Sequence, residues 1–183
     1  VQLDLDSQNP DYFVKSKKDI ARDKCTEWLD NILDKDKKNR IENYRELYKV
    51  IYLSKKYELN DLLAKALEIK GKELYRNGLY SCAITHFSKS LSYYIKEDND
   101  LGIKTSYLAM GKTYFMDNNY LMALTYYNLA GLIESDDHIL YYKALCYYKL
   151  DNYEIVKSII NKIMFKDERV IELENYIQNN GVL

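Results

Sequence analysis

Two pairs of side chains have types and spacing that could do chemistry. Cys82 and His86 lie four residues apart, so on one helix they would offer two zinc ligands on the same face. A structural zinc site needs four ligands, and no second pair lies nearby in the sequence. We therefore expect Cys82 near a helix interface and His86 at the surface. Asp136 and Asp137 begin a predicted helix, where carboxylates favour the helix dipole, and we interpret them as a cap.

Enzymatic activity is not indicated. Catalysis needs several converging groups with tuned pKa values. The only imidazoles, His86 and His138, belong to different predicted helical pairs, and the chain has no phosphate-binding loop, nucleophile elbow or HExxH motif. The sequence therefore predicts a non-enzymatic protein with no cofactor and no metal site.

Charge and composition exclude further classes. The 183 residues carry a net charge of −1, whereas a general nucleic-acid binder needs a basic excess. The lysine-rich segments 15–18 and 35–38 include or adjoin Asp, which is typical of a solvated face. No apolar run approaches the roughly 20 residues that cross a bilayer. Three cysteines without a CxxC motif and without a signal peptide predict a cytoplasmic location. The chain begins without Met, which indicates a fragment of a longer protein.

Long helices are the predicted elements. Gly is 6 and Pro is 1, and both residues are costly inside helices. Apolar residues recur at helical spacing throughout. The predicted elements are helices over 17–34, 41–57, 60–76 and 80–96, a helical pair within 101–134, a further pair over about 137–166, and a last helix over 168–179 ended by Asn179, Asn180 and Gly181. Turns are expected at the charged segment 35–40, at Asn77-Gly78 and at 117–119, where residues that tolerate left-handed backbone occur.

One stretch carries a family pattern. Small and aromatic residues stand at fixed places in residues 101–134, namely Tyr107, Gly111, Tyr114, Tyr120, Ala123, Tyr127 and Ala130. In this arrangement the chain resembles the tetratricopeptide repeat (TPR), whose period is about 34 residues. The resemblance implies an all-α, right-handed superhelix of about nine helices. Its segments are a loose entry over 1–16, a hairpin or degenerate repeat over 17–57, three repeats over 58–167 and a capping helix over 168–183.

The repeats are not equal in length. Gly71 and Gly111 are 40 residues apart, while Gly111 and Ala144 are 33 apart. We place the excess at residues 96–100, as a longer helix 80–96 or a longer loop. This longer unit resembles the Rap/PlcR-type peptide-sensing regulators of bacteria. Lys70 stands where the family usually has Leu, and Ser90 stands where it has Ala, and we expect looser packing at both.

The resemblance also implies a binding surface. In TPR domains the first helix of each repeat lines a concave groove that binds peptides. That places ten candidates in the groove: Lys65, Lys72, Tyr75, Arg76, Leu108, Lys112, Phe115, Tyr141, Tyr148 and Lys149. Five more lie beside them: Glu68, Thr105, Met116, His138 and Leu145. Lysines with aromatics suit a peptide or protein segment that is acidic or has a free carboxylate. The aromatics could instead pack between adjacent helices.

Two functions remain open at this point. The first is a peptide-binding module, the ligand-sensing part of a bacterial regulator. The second is a passive scaffold for protein–protein interaction, without a small peptide ligand. Chaperone-tail binding is not expected, because Glu68, Ala109 and Tyr142 replace residues of the known clamp. Neither nucleic acid nor membrane is an expected partner, and a homodimer contact through apolar residues at either end stays open.

Overall fold

The chain is all-α, as predicted. The computed structural model describes residues 15–34 and 40–180, and these form nine helices and no strand. The helices are α1 (Lys17–Leu33), α2 (Arg40–Lys56), α3 (Asn60–Arg76), α4 (Tyr80–Lys96), α5 (Asp100–Met116), α6 (Tyr120–Ile133), α7 (Asp137–Lys149), α8 (Tyr153–Ile160) and α9 (Glu168–Asn180). No helix among the described residues is long and apolar enough to span a bilayer. Outside the described residues lie the entry segment up to residue 14, residues 35–39 of the segment where a turn is predicted, and Gly181.

Contacts divide the chain into two compact units, and the boundary in the sequence falls between Leu62 and Leu63, within α3. In the first unit, α1 buries Ala21, Cys25 and Leu29, and α2 packs against it. Ser16 begins α1 with a capping box, since its hydroxyl accepts from the Asp19 amide while the Asp19 carboxylate accepts from the Ser16 amide. Helices α1 and α2 therefore pack against each other, and the assignment of this pair as a degenerate repeat or a cap stays a prediction.

A 20-residue step organises the long helices. The helices α2, α3, α4 and α5 begin at residues 40, 60, 80 and 100, and each has 17 residues. Three-residue turns join them at 57–59, 77–79 and 97–99. The extra residues between Gly71 and Gly111 therefore lie in long helices, and the alternative of a longer loop at 96–100 is wrong.

The turns share one backbone geometry. The second residue of each has a positive φ, and these residues are Glu58 (54°), Gly78 (73°), Asp98 (50°), Asn118 (59°) and Asp151 (55°). The next amide then donates to the carbonyl five residues back, at 2.9–3.0 Å in all five turns. That bond ends a helix in the Schellman manner and satisfies an otherwise unpaired carbonyl. The left-handed turns expected at Gly78 and 117–119 are confirmed.

Small residues allow two helical pairs to approach closely. A Cβ on Gly71 would lie 2.6 Å from Cε1 of Phe87, and one on Gly111 would lie 2.7 Å from Cε1 of Tyr127. Both rings are buried and come from the following helix. The helices are therefore tightly packed at Gly71 and at Gly111. Ala144 is buried in a cluster that also holds Ile160.

Packing around Ser90 contradicts the expectation from its sequence. Its side chain is fully buried, and the hydroxyl donates to the Ala64 carbonyl at 2.7 Å. A buried hydroxyl is costly only when it lacks a partner, and this one binds α4 to α3. The prediction of looser packing at Ser90 is therefore wrong.

The last hairpin is shorter than its predecessors. Helix α6 has 14 residues, α7 has 13 and α8 has only 8. The predicted pair over about 137–166 therefore ends early, because the chain turns after Ile160 and leaves α8. The Asp137 carboxylate holds the connection that follows, accepting from the amides of Met164 at 3.1 Å and Phe165 at 2.9 Å.

Candidate functional site: a cleft between α3 and α5

A cleft of about 260 Å³ lies between α3 and α5 in the second unit. These helices supply most of its walls, and α4 supplies one ring. The lining residues are Lys72, Tyr75, Phe87, Thr105, Leu108, Ala109 and Lys112. Ligand pockets for drug-sized molecules usually measure about 300–1,000 Å³, so this cleft is the size for one side chain rather than a whole peptide.

The cleft brings together four of the ten predicted groove residues, which are Lys72, Tyr75, Leu108 and Lys112. Tyr75 also lies against Tyr80, with ring centroids 5.9 Å apart. Burial is the main cause that raises the Tyr75 pKa. Its hydroxyl therefore stays protonated and can donate a hydrogen bond at neutral pH.

The predicted aromatics outside the cleft pack against other helices. Phe115 meets the edge of Tyr120 at 5.3 Å. Tyr148 lies against Tyr176 at 5.4 Å, and that interaction with a neighbouring hydroxyl raises its pKa to about 12. The Arg169 guanidinium covers the Tyr141 ring at 5.0 Å. These contacts correspond to the alternative in which aromatics pack between adjacent helices.

Three predicted cations also lie away from the cleft lining. Arg76 pairs with Glu73 at 3.6 Å, and the Lys149 ammonium lies 5.6 Å from the centre of the Tyr148 ring. Lys65 is exposed on α3. The cationic part of the cleft itself therefore comes from Lys72 and Lys112.

A buried carboxylate supports Lys72. Glu68 forms an ion pair with Lys72, one helical turn away, and accepts a hydrogen bond of 2.7 Å from the Tyr94 hydroxyl. Burial and the bond to Glu68 raise the Tyr94 pKa. The Lys72 side chain is 48% exposed, so its ammonium is fixed by Glu68 while remaining open to solvent. Glu68 offsets part of the positive charge that the sequence predicts here.

Lys112 faces a different group, the Tyr142 ring. Its ammonium lies 4.8 Å from the ring centre, and the His138 imidazole meets the same ring edge-on at 4.6 Å. Burial and the nearby Lys112 charge lower the His138 pKa. His138 is therefore neutral at pH 7, and Lys112 carries the positive charge beside Tyr142.

Sequence reasoning missed two residues of the cleft. The sequence pattern predicts Phe87 to be a core residue. Because its ring lies against Gly71, which has no side chain, it also lines the cleft. Ala109 is conspicuous in the sequence only as a departure from the chaperone-tail clamp. The spacing between Gly71 and Gly111 was the signal that could have found both, because it sets the register between α3 and α5.

The sequence's other chemical candidates are placed apart from the cleft. Asp136 caps α7 by accepting from the Ile139 amide at 2.8 Å, which confirms the interpretation as a cap. Cys82 is exposed, so the expectation that it lies at a helix interface is wrong. His86 bonds back to the Cys82 carbonyl at 2.9 Å. Within residues 15–34 and 40–180, no three His, Cys, Asp or Glu side chains group as metal ligands would.

No family model matches the chain, and no curated protein or solved structure matches it.

Proposed function

We propose that this chain is a TPR-like module that binds a peptide or protein segment along the surface formed by α3 and α5. The cleft between these helices supports the proposal best. Its lining combines the apolar Phe87 and Leu108 with two lysines, Lys72 and Lys112. Apolar anchors with a few polar groups are what fix the orientation of a bound segment.

The chemistry of the partner follows from the two lysines. An acidic residue or a free carboxylate on the partner would pair with Lys112, whose present neighbour is a ring and not a carboxylate. Lys72 would contribute less, because Glu68 already engages it. A role as the sensing part of a bacterial regulator is supported by the 40-residue length of the α3–α4 unit, since this longer unit resembles the peptide-sensing regulators named above.

A binding experiment with matched variants tests the proposal. The whole 183-residue chain would be screened by calorimetry against a library of short acidic and apolar peptides. Leu108→Glu places a charge in the cleft and is expected to weaken binding about tenfold or more. Leu121→Glu is the control, because Leu121 is exposed on α6 and absent from the lining. Equal binding by both variants, or no peptide bound by the unaltered chain, would reject the proposal.

A second candidate function is a scaffold for a folded partner, and one observation favours it. Met164 and Phe165 are 82% and 81% exposed, yet Asp137 holds their backbone in place. Exposed apolar side chains on a fixed turn are typical of protein contacts. Phe165→Ser would then abolish capture of that partner and leave peptide binding unchanged.

A further inference from the structure

The cleft lies where α3 faces α5, which we call the α3–α5 junction, and the next such place along the chain is the α5–α7 junction. Because Gly71 and Gly111 make equivalent contacts, the residues of the two junctions can be aligned with each other. Gly71 corresponds to Gly111 and Ala144. The same offsets pair residues of the α3–α5 junction with residues of the α5–α7 junction. The pairs are Lys72 with Lys112, Phe87 with Tyr127, Thr105 with His138, Leu108 with Tyr141, and Ala109 with Tyr142.

At the α5–α7 junction the chain fills this place with its own ring. Tyr142 stacks on the buried Tyr127, with centroids 5.2 Å apart and planes at 11°. The Lys112 ammonium lies 4.8 Å from the centre of the Tyr142 ring. His138 meets its edge at 4.6 Å. One aromatic side chain is therefore enclosed by a ring below, a cation beside it and a polar residue at its edge.

At the α3–α5 junction the same walls surround an open space. Phe87 provides the ring below, Lys72 the cation and Thr105 the polar edge. Ala109 stands in the place of Tyr142, and its methyl group leaves the cleft of about 260 Å³. Among the paired positions, Tyr142 is the ring that fills the α5–α7 junction, and its counterpart at the α3–α5 junction is the small Ala109.

We propose that the α3–α5 cleft binds one aromatic side chain, Phe or Tyr, of the partner segment, in the position that Tyr142 occupies one junction later. This inference rests on the proposed function, since it names the anchor residue of that segment. The partner's ring stacks on Phe87 and lies beside the Lys72 ammonium, as Tyr142 does with Tyr127 and Lys112. Offset stacking and cation–π attraction both favour an aromatic over an aliphatic anchor of similar size.

Lys72 differs from Lys112 in one contact, and the difference bears on affinity. Glu68 pairs with Lys72, while the corresponding residue near Lys112 is Leu108. The Lys72 ammonium is shared between the carboxylate and the incoming ring. Lys72→Met is therefore expected to weaken aromatic binding by only a few-fold, a smaller effect than filling the cleft.

The test uses small probes on the whole chain. Binding of N-acetyl-tyrosinamide and of N-acetyl-leucinamide would be followed by NMR chemical-shift titration. We expect the tyrosine probe to bind about tenfold more tightly and to shift the signals of Phe87 and Ala109. Equal affinity for the two probes, or shifts located elsewhere, would overturn the inference.

Two variants separate the aromatic site from the folded state. Ala109→Tyr supplies the missing ring and should abolish tyrosine-probe binding while helicity and thermal midpoint are kept. Asn128→Tyr is the control, since Asn128 is exposed on α6 and the added ring there should leave binding unchanged. Tyr142→Ala opens the second junction and should add a second site for the probe. Retained probe binding in Ala109→Tyr contradicts the inference whether or not the second site appears.

The outcomes also distinguish this inference from the proposed function. Peptides without an aromatic residue could bind in a manner sensitive to Leu108→Glu while the tyrosine probe shows no preference. In that case the groove function stands and the aromatic anchor is wrong. If neither peptide nor probe binds, both are wrong.

Discussion

The hairpins α3–α4 and α5–α6 differ from the hairpin α7–α8 in how they make the same close approach. In the first two, a glycine lies against a ring, Phe87 or Tyr127. In the last, Ala144 shares a cluster with the branched aliphatic Ile160, which follows it by the same 16 residues that separate Gly111 from Tyr127. The comparison shows that the two facing residues compensate each other in size. A wide ring leaves no room for a Cβ on the opposite residue, whereas a narrower side chain leaves room for a methyl group.

The connections between the helices also differ from one another. The long helices are joined by turns with one left-handed residue, whereas 134–136 joins α6 to α7 without one. There Lys104 takes over, since its ammonium donates to Glu134 at 2.7 Å and to Asp136 at 2.9 Å. At this connection, where the 20-residue spacing of the helix starts ends, the ion pairs of Lys104 take the place of a left-handed turn residue.

The largest expected effect comes from adding a methyl group at the tight contact. Gly111→Ala places a Cβ 2.7 Å from the buried Tyr127 ring and should lower the free energy of unfolding by about 2 kcal/mol. Gly131→Ala is the matched control, because its Cβ would lie at an ordinary 3.7 Å from Ile139 and should raise that free energy by about 1 kcal/mol. Urea unfolding measures both. Effects of the same sign would refute the size argument.

A double-mutant cycle tests this comparison by placing the residue types of the α7–α8 contact, Ala and Ile, in the α5–α6 contact. Gly111→Ala combined with Tyr127→Ile recreates the pairing of Ala144 and Ile160. Since Ile has no ring to collide with the new methyl group, we expect a favourable coupling energy of about 1.5 kcal/mol between the two substitutions. Additive losses would show that the glycine is needed for another reason.

The hydroxyl of Tyr127 gives a third prediction, because Phe87 fills the equivalent place without one. Tyr127 is fully buried, and its hydroxyl has no hydrogen-bond partner among the described residues. Removing it in Tyr127→Phe should raise the free energy of unfolding by about 1 kcal/mol. The control is Tyr94→Phe, which removes a hydroxyl bonded to Glu68 and should lower stability. Thermal unfolding of both variants decides the matter, and a loss in Tyr127→Phe would contradict it.

The smallest effect concerns the charged connection and its pH dependence. Lys104→Met should cost about 0.5 kcal/mol near neutral pH, because the side chains of its partners Glu134 and Asp136 are 69% and 41% exposed and water screens such ion pairs. Burial opposes ionisation of Asp136, but bonds from the Ile139 amide and Lys104 outweigh it and lower the Asp136 pKa below 3.8. Bonds to Glu134 and Asp136 raise the Lys104 pKa above 10.5.

The sign of each shift sets the pH window. A lowered carboxylate pKa contributes stability above pH 3.8 that is lost as the pH falls through the folded-state value. A raised lysine pKa contributes stability below pH 10.5 that is lost as the pH rises through its folded-state value. The stability difference between the unaltered chain and Lys104→Met should therefore be flat between these limits and shrink outside them. A difference that peaks near pH 6 would contradict the assignment.

Local patterns made most of the fold predictable. Helical periodicity placed α3 and α4 within their observed bounds, and Asn77-Gly78 marked the turn between them because Gly adopts positive φ easily. Glu58 adopts the same backbone conformation without any such signal, since Glu has no preference for positive φ. Asp98 is of a type that tolerates it.

The candidate site was predictable in part. The presence of Lys72 and Lys112 in one cleft could be predicted, because each directly follows a glycine of the repeated pattern and so occupies an equivalent position on its helix. The contacts of Tyr142 could not be predicted, because its ring meets groups from α5 and α6 that are distant in sequence. The burial of Lys104 was missed for the same reason: its partners lie some 30 residues away.

The equal step of the long helices has a consequence for how such a chain could grow. Helices α3, α4 and α5 begin at residues 60, 80 and 100, so a tandem copy of the 40 residues between 60 and 99 would end in the same turn geometry as the original. The copy would also restore the glycine opposite its ring. Gene duplication in this segment could thus lengthen the protein without any change at either terminus.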